Sequence, residues 1–395
     1  MKKDILEATI LLVLLVNILR VLNLTNQLVL IILAFLLTLF FIFSILTLFG
    51  KKSNNSIRFF AFLLLILTLY IFLFLKIFSL KGEERWQKHD GAILTEFATQ
   101  AFLDGKNPYS FNYKKLFENT NVAPLKEVYE HYMYSPLMFI INAPIQFFSM
   151  QAFKVADFKV TVLFFLILAG LVGSSLVKEK ILFASFFFLN PLFLPLSFYG
   201  ANEAILLFFI FLVLFFLKYK RTLLSTSMLV LGLGTKILIL PLVPLYFIFL
   251  FYYIKGYRNL SLFIKNILVF LILTMLIYLP FAVWDFPGLV GDVIFFHLKG
   301  GVESHVIAGF LGLPQLLSSL QVISPSSSFP FYIFQLIIEV IFLLWARKIF
   351  QRNLKIEMLS LLFIINLCVL LLFSRIIQTS YIAFISQVFL LIAFF

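Results

Sequence analysis

What most limits this chain is a repeating pattern. Apolar runs close to the ~20 residues that span a bilayer recur along it, parted by short polar or basic segments. Charged residues make up 12% of its 395 residues, about half of the ~25% usual in a soluble domain. With 63% hydrophobic residues, its apolar surface cannot all be hidden from water in one core. The reading is an all-α, polytopic transmembrane bundle, a single integral-membrane domain over 1–395. A membrane β-barrel would show alternating segments of ~10 residues, and the sequence has none.

The charges orient the runs. The net charge is +13, which in a soluble protein points to nucleic acid. Here Lys and Arg stand beside apolar runs, as cytoplasmic flanks do. Nucleic acid is therefore not expected as a partner, and membrane lipids are. The single Cys368 excludes an intrachain disulfide and a cysteine metal cluster. Lys2 and Lys3 precede an apolar run without an A-x-A site, so that run reads as a first span.

Spans are expected at about 5–23, 27–49, 59–78, 155–177, 181–198, 202–217, 264–284, 331–347, 356–373 and 376–395. Residues 222–254 exceed one span and are expected to break near Gly232, Gly234 and Lys236 into two short helices meeting outside. That makes about twelve crossings by the ~20-residue criterion. Segment 135–150 is short and interrupted by Pro136 and Pro144, so it is read as dipping into the membrane or lying on it. Lys178, Lys218, Lys220, Arg221, Lys255 and Arg347 then fall inside. His89, His131, His297 and His305 fall outside. No 20–50-residue repeat is visible, nor the inverted repeat of many transporters.

Two polar stretches, 79–134 and 285–330, remain as extracytoplasmic loops. Within the first, Asp90 sits in KHDGAILTEF. A carboxylate at a membrane surface can deprotonate a sugar hydroxyl or bind a divalent cation such as Mg or Mn. It can equally cap a helix starting at Ala92. Ile93, Phe97 and Ala101 have helical spacing and suggest a surface helix ending by Gly105 and Pro108. Glu96 and Asp104 are weaker candidates. Glu339 lies mid-span, where charge is costly, and is read as a protonated or partnered structural residue far from the outer loops.

Taken in order, Asp90-Gly91, Phe97, Ala101, DGKNPYS (104–110) and YSPL (134–137) resemble the first outer loop of C-type (GT-C) glycosyltransferases, polytopic enzymes that use polyprenyl-phosphate sugars. YGANEAI (199–205) resembles the Gly-Asn-x-Glu/Asp motif of the branch that includes family 87 and the GPI-mannosyltransferase-I-like enzymes. GLGTKILILP (232–241) resembles its Gly-x-x-x-Lys segment. FHLKGGVESHVIA (296–308) resembles a His-x-x-Arg-Gly stretch, with Lys299 in place of Arg, and RIIQTSYIAF (375–384) a late Gln-x-x-Tyr element.

The resemblance implies a GT-C-like fold and an inverting transfer of a sugar, mannose by analogy, from a polyprenyl phosphate to a lipid-linked or polymer acceptor. It makes Asp90 the general base. Lys236, Lys299, Arg375 and His297 are candidates to hold the donor phosphate, because cations facing a leaving anion stabilise it. Asn202, Glu203, Tyr109 and Gln378 join the site as members of the matching motifs. No cofactor is expected beyond a divalent cation at Asp90. The alternatives are a transporter or flippase of lipid-linked saccharides, and a polysaccharide polymerase or ligase.

Overall fold

The computed structural model describes residues 2–21, 38, 55–80, 84, 88–117, 131–255, 258–299, 307–309 and 311–395. The span expected at 27–49 lies outside the described residues except for Thr38, and Glu303, Ser304 and His305 lie outside them too.

The described residues are almost all helical. In order come α1 (Lys2–Val21), α2 (Asn55–Ser79), α3 (Asp90–Leu103), α4 (Pro136–Phe153), α5 (Phe158–Leu176), α6 (Lys180–Phe188), α7 (Phe193–Phe198), α8 (Glu203–Lys218), α9 (Thr222–Thr235) and α10 (Leu242–Tyr253). Then follow α11 (Leu260–Trp284), α12 (Phe286–Val290), α13 (Leu313–Ser319), α14 (Phe331–Arg352), α15 (Ile356–Leu371) and α16 (Thr379–Phe394). Three stretches, Phe62–Ser79, Phe158–Leu176 and Leu260–Trp284, are long and apolar enough to cross a membrane. Five shorter apolar helices accompany them, in α1, α9, α10, α15 and α16. The outer faces of α11 and α14 expose Leu276, Leu279, Val283, Val340 and Ile341, each by more than half its surface. Such a face suits hydrocarbon and not water.

Contacts between helix ends sort the bundle into two ends. At one, Lys218 Nζ donates to the Leu176 carbonyl at 2.8 Å, Tyr253 Oη donates to the Leu217 carbonyl at 2.9 Å, and Arg347 Nε donates to Tyr252 Oη at 3.1 Å. The basic residues beside these positions, Lys178, Lys220, Arg221, Lys255 and Arg352, share that end. At the other, His89 N–H donates to the Tyr199 carbonyl at 2.7 Å, and Tyr278 Oη lies 2.9 Å from both Ser135 Oγ and the Leu233 carbonyl. Both expected polar loops arrive at this second end.

Helix α4, about 27 Å long at 1.5 Å per residue, begins and finishes there. Its start is held by Tyr278 near the end of α11. Its last residue, Phe153, stacks on Phe78 in the last turn of α2 at 4.2 Å. It therefore runs across the end of the bundle, as the two prolines suggested. A buried polar ladder pins it down. Asn142 Nδ2 donates to Thr99 Oγ1 of α3 at 2.9 Å, and Thr161 Oγ1 of α5 donates to Asn142 Oδ1 at 2.6 Å.

Several expectations need correction. The 181–198 run is two helices, parted where Asn190 Oδ1 accepts the Leu192 and Phe193 amides. Helix α3 is not a surface helix, since residues 91–96 are all buried. It is also clamped by Lys88, whose Nζ lies 2.6 Å from Glu96 Oε1. The last helix starts at Thr379, because Ile376–Ile377 instead forms β2, paired in parallel with β1 (Ala308–Gly309). The break in 222–254 is where the sequence put it. Helix α9 stops at Thr235, Lys236 is extended, and a single 3-10 turn leads to α10.

Candidate functional site

The site is assembled where the two polar stretches meet. Ser110 Oγ donates to Asp285 Oδ2 at 2.7 Å. The Tyr132 amide donates to Asp292 Oδ2 at 2.9 Å, and His131 Nδ1 lies 2.7 Å from Asp292 Oδ1. His297 Nε2 lies 3.0 Å from the Met133 carbonyl. In turn the second stretch is stapled to the segment before α16. The Ala308 amide donates to the Arg375 carbonyl at 2.9 Å, and Gln315 Nε2 donates to the same carbonyl at 2.9 Å.

Asp90 is the first residue of α3, with His89 as its N-cap. The Gly91 amide is shared between Asp90 Oδ1 at 2.7 Å and His89 Nδ1 at 3.0 Å. Glycine is required here, because a Cβ would sit 2.1 Å from Tyr134 Oη. Gly200, at φ +94, lets the 199–202 turn fold against α3, where a Cβ would lie 2.6 Å from that of Ala92. Burial raises the Asp90 carboxyl, but His89, the Gly91 amide and the Lys236 charge outweigh it and hold it below the ordinary aspartate value. An ionised carboxylate is what a general base needs.

Lys236 sits at the break between α9 and α10, 2% exposed. Its Nζ donates to Glu203 Oε1 at 2.7 Å and Asn202 Oδ1 at 2.8 Å, and Ser380 Oγ donates to the same Glu203 oxygen at 2.8 Å. The rings of Tyr381 and Tyr134 face the ammonium at 5.0 and 5.6 Å. Such faces favour a cation.

Three cavities open around this core. The smallest, about 20 Å³, is lined by Asp90, Met133, Tyr134, Phe296, Gln378 and three shared residues, His297, Ile376 and Tyr381. Those three also line a large, mostly apolar cavity of about 330 Å³. It runs from Lys236 past Leu238 and Pro241 of the α9–α10 break, along Leu336 and Glu339 of α14, to Leu367 and Leu371 of α15. A third, about 240 Å³, is lined by Lys299, Arg375, Ser328, Phe329 and Tyr332. Tyr332 is common to the second and third.

The candidate residues divide accordingly. Asp90, His297, Gln378 and Lys236 face the joined cavities, and Lys299 and Arg375 face the third. Burial pushes the His297 imidazole down to about 4, so it is neutral at ordinary pH and does not attract an anion by charge. Glu203 and Asn202 line no described cavity and act on Lys236. Tyr109 is also not at a cavity. It is 5% exposed, donates to the Tyr134 carbonyl at 2.8 Å and packs among Tyr132, Phe139 and Phe281. Glu339 is partnered, accepting from Asn366 Nδ2 at 2.8 Å, yet it lines the large cavity and is not remote from the site.

Among the described residues no three His, Cys, Asp or Glu side chains converge as a metal site. Beside the Asp90 carboxylate stand His89, with Nδ1 2.9 Å from Oδ1, and the charge of Lys236. The carboxylates of Glu118, Glu127, Glu130 and Glu303 lie outside the described residues. Sequence reasoning passed over Tyr134, Ser380 and Tyr381, although the first and last stand in the Tyr-x-Pro and Gln-x-x-Tyr motifs themselves. Comparison of the chain with protein-family models, curated proteins and solved structures finds no match.

Proposed function

We propose that this protein is an integral-membrane glycosyltransferase of GT-C-like architecture, with about twelve spans by the ~20-residue criterion. It moves a sugar, mannose by resemblance, from a polyprenyl phosphate to a lipid-linked or polymer acceptor at the extracytoplasmic face. One observation carries the reading: the compartment of Asp90 shares three wall residues with a large apolar cavity that opens to the surface of the bundle along Leu336 and Leu240. A prenyl chain needs an apolar groove, and its sugar must reach a base at the groove's mouth.

In this reading Asp90 takes the proton from the acceptor hydroxyl as that oxygen attacks the anomeric carbon, giving inversion. Lys299 and Arg375, around the cavity joined through Tyr332, stabilise the departing phosphate. Lys236 is held by its ion pair with Glu203, so its part is to shape the wall, and its charge helps keep Asp90 ionised. Incubating the full chain with radiolabelled polyprenyl-phosphate mannose and an acceptor, with wild type beside Asp90→Asn, tests this. Transfer that persists in a folded Asp90→Asn protein rules the base assignment out.

One observation favours a flippase as a second reading, namely the Glu339–Asn366 pair on the wall of the large cavity. Ionisable groups at membrane depth often mark transport paths. Translocation of labelled lipid in vesicles without covalent transfer would select it.

A further inference from the structure

We infer that Lys88 and Glu96 are positioning residues that fix the place of Asp90, so that breaking their ion pair slows sugar transfer without weakening the binding of the donor. The inference rests on the glycosyltransferase reading and adds to it two residues that line none of the three cavities. Four ionic side chains, Lys88, Glu96, Asp157 and Lys159, are buried together beneath the entry to α3. Lys88 Nζ lies 2.6 and 2.8 Å from the two Glu96 oxygens and 3.7 Å from Asp157 Oδ2. Lys159 Nζ approaches the same Asp157 oxygen at 3.6 Å. Lys88 precedes Asp90 by two residues and Glu96 follows it by six. Their pair therefore ties the chain ahead of the base to the second turn of the helix that the base opens. Glu96 Oε1 also accepts the Phe158 amide at 2.7 Å, which fastens the tie to the first residue of α5. Between Lys88 and Asp90, the His89 N–H is held by the Tyr199 carbonyl. Lys159 sits beside that turn, 5.8 Å from the centre of the Phe198 ring. The chain on both sides of the base is thus fixed to the turn that delivers Asn202 and Glu203 to Lys236.

Stability alone does not account for the pair. Desolvating two charges offsets most of their attraction, and a well-packed replacement without charge is often as stable. What a buried pair can supply is register, because only one arrangement satisfies both ions. Register matters at Asp90. A general base works only within hydrogen-bond reach of the hydroxyl it deprotonates, and a misplacement of about 1 Å costs about 100-fold in rate. The two halves of the cluster differ in this respect. Lys88 and Glu96 reach α3 and its entry, whereas Asp157 and Lys159 both stand at the start of α5.

The test uses the full chain in detergent, carrying Lys88→Met together with Glu96→Gln. The glutamine oxygen still accepts the Phe158 amide, and one charge of each sign is removed. With labelled polyprenyl-phosphate mannose and an acceptor, kcat should fall about 10- to 100-fold, with KM and the thermal transition unchanged. Hydrogen exchange at the Gly91 amide, next to the base, should quicken. Asp157→Asn together with Lys159→Met removes the other pair and should leave kcat as it was. Should the first protein not fold, Glu96→Gln alone takes its place, with kcat expected to fall several-fold at constant KM. An unchanged kcat, an equal loss in both double variants, or a loss that is all in KM overturns the inference. No transfer by the wild type, with exchange at Gly91 quickened only by the Lys88 and Glu96 substitutions, overturns the transferase reading and leaves the hold on residue 90 standing. No transfer and unmoved exchange overturn both.

Discussion

Glu203 and Lys236 hold each other at 2.7 Å across 33 residues of sequence, their side chains 1% and 2% exposed. One opens α8 and the other is the extended link after α9. Their pairing therefore ties a helix start to a helix break at the wall of the site. Ser380 and Asn202 supply further hydrogen bonds, to Glu203 Oε1 and from Lys236 Nζ, while Glu203 Oε2 is buried without one. A buried ion pair is stable only with such extra partners, and removing one member strands the other.

Replacing either member should therefore be costly. Glu203→Ala and Lys236→Met are each expected to lower stability by about 3–5 kcal/mol. The double variant should lose clearly less than the sum. Thermal unfolding in detergent, run as a double-mutant cycle, measures this, and additive losses would contradict the pairing.

The pH dependence of Asp90 follows from the sign of its shift. Its folded value lies below the ordinary one, so it stays charged as pH falls through about 3.9, where a free aspartate takes its proton. The stability it contributes is complete above that value and is lost only as pH drops through the lower folded one. The acid limb of kcat/KM for sugar transfer should accordingly bend below about pH 3.9. In a Lys236→Met protein that still folds, the limb should move upward.

Gly91 is a steric test of the site. In Gly91→Ala the new methyl would meet Tyr134 Oη at 2.1 Å, a clash worth about 1–3 kcal/mol when neighbours must shift. Adding Tyr134→Phe removes the atom struck and should restore part of the loss. Melting temperatures of the single and double variants decide the matter.

The joint between the polar loops is carried by Asp292, which is 1% exposed. Burial raises its carboxyl, and the hydrogen bond and charge of His131 offset this only in part. A raised carboxyl favours the folded state at low pH, and that advantage fades as pH rises through the folded value. Asp292→Asn keeps an acceptor for the Tyr132 amide and should be nearly neutral at pH 7. Asp292→Ala strands that amide at about 1–3 kcal/mol. Hydrogen exchange at Tyr132 should quicken in the alanine variant alone.

Read by itself, the sequence determined the helical class and the break near Lys236, and it left open whether 135–150 crosses the membrane and placed the helix start at Ala92, two residues past the observed one. Each is a local matter of apolar length, proline placement or capping. It also singled out Asp90, His297 and Gln378, which the fold brings to one small compartment. It could not show that Lys236 and Glu203 pair with each other, that Tyr109 is packed away, or that Glu339 faces the large cavity. It missed the division of 181–198, where Asn190 and Pro191 interrupt an otherwise apolar run. Only the tertiary structure decided these, because partners such as Glu203 and Lys236, or Met133 and His297, are far apart in the chain. Hydropathy records whether a residue is apolar, but which side chains share a cavity depends on how the helix ends are packed together.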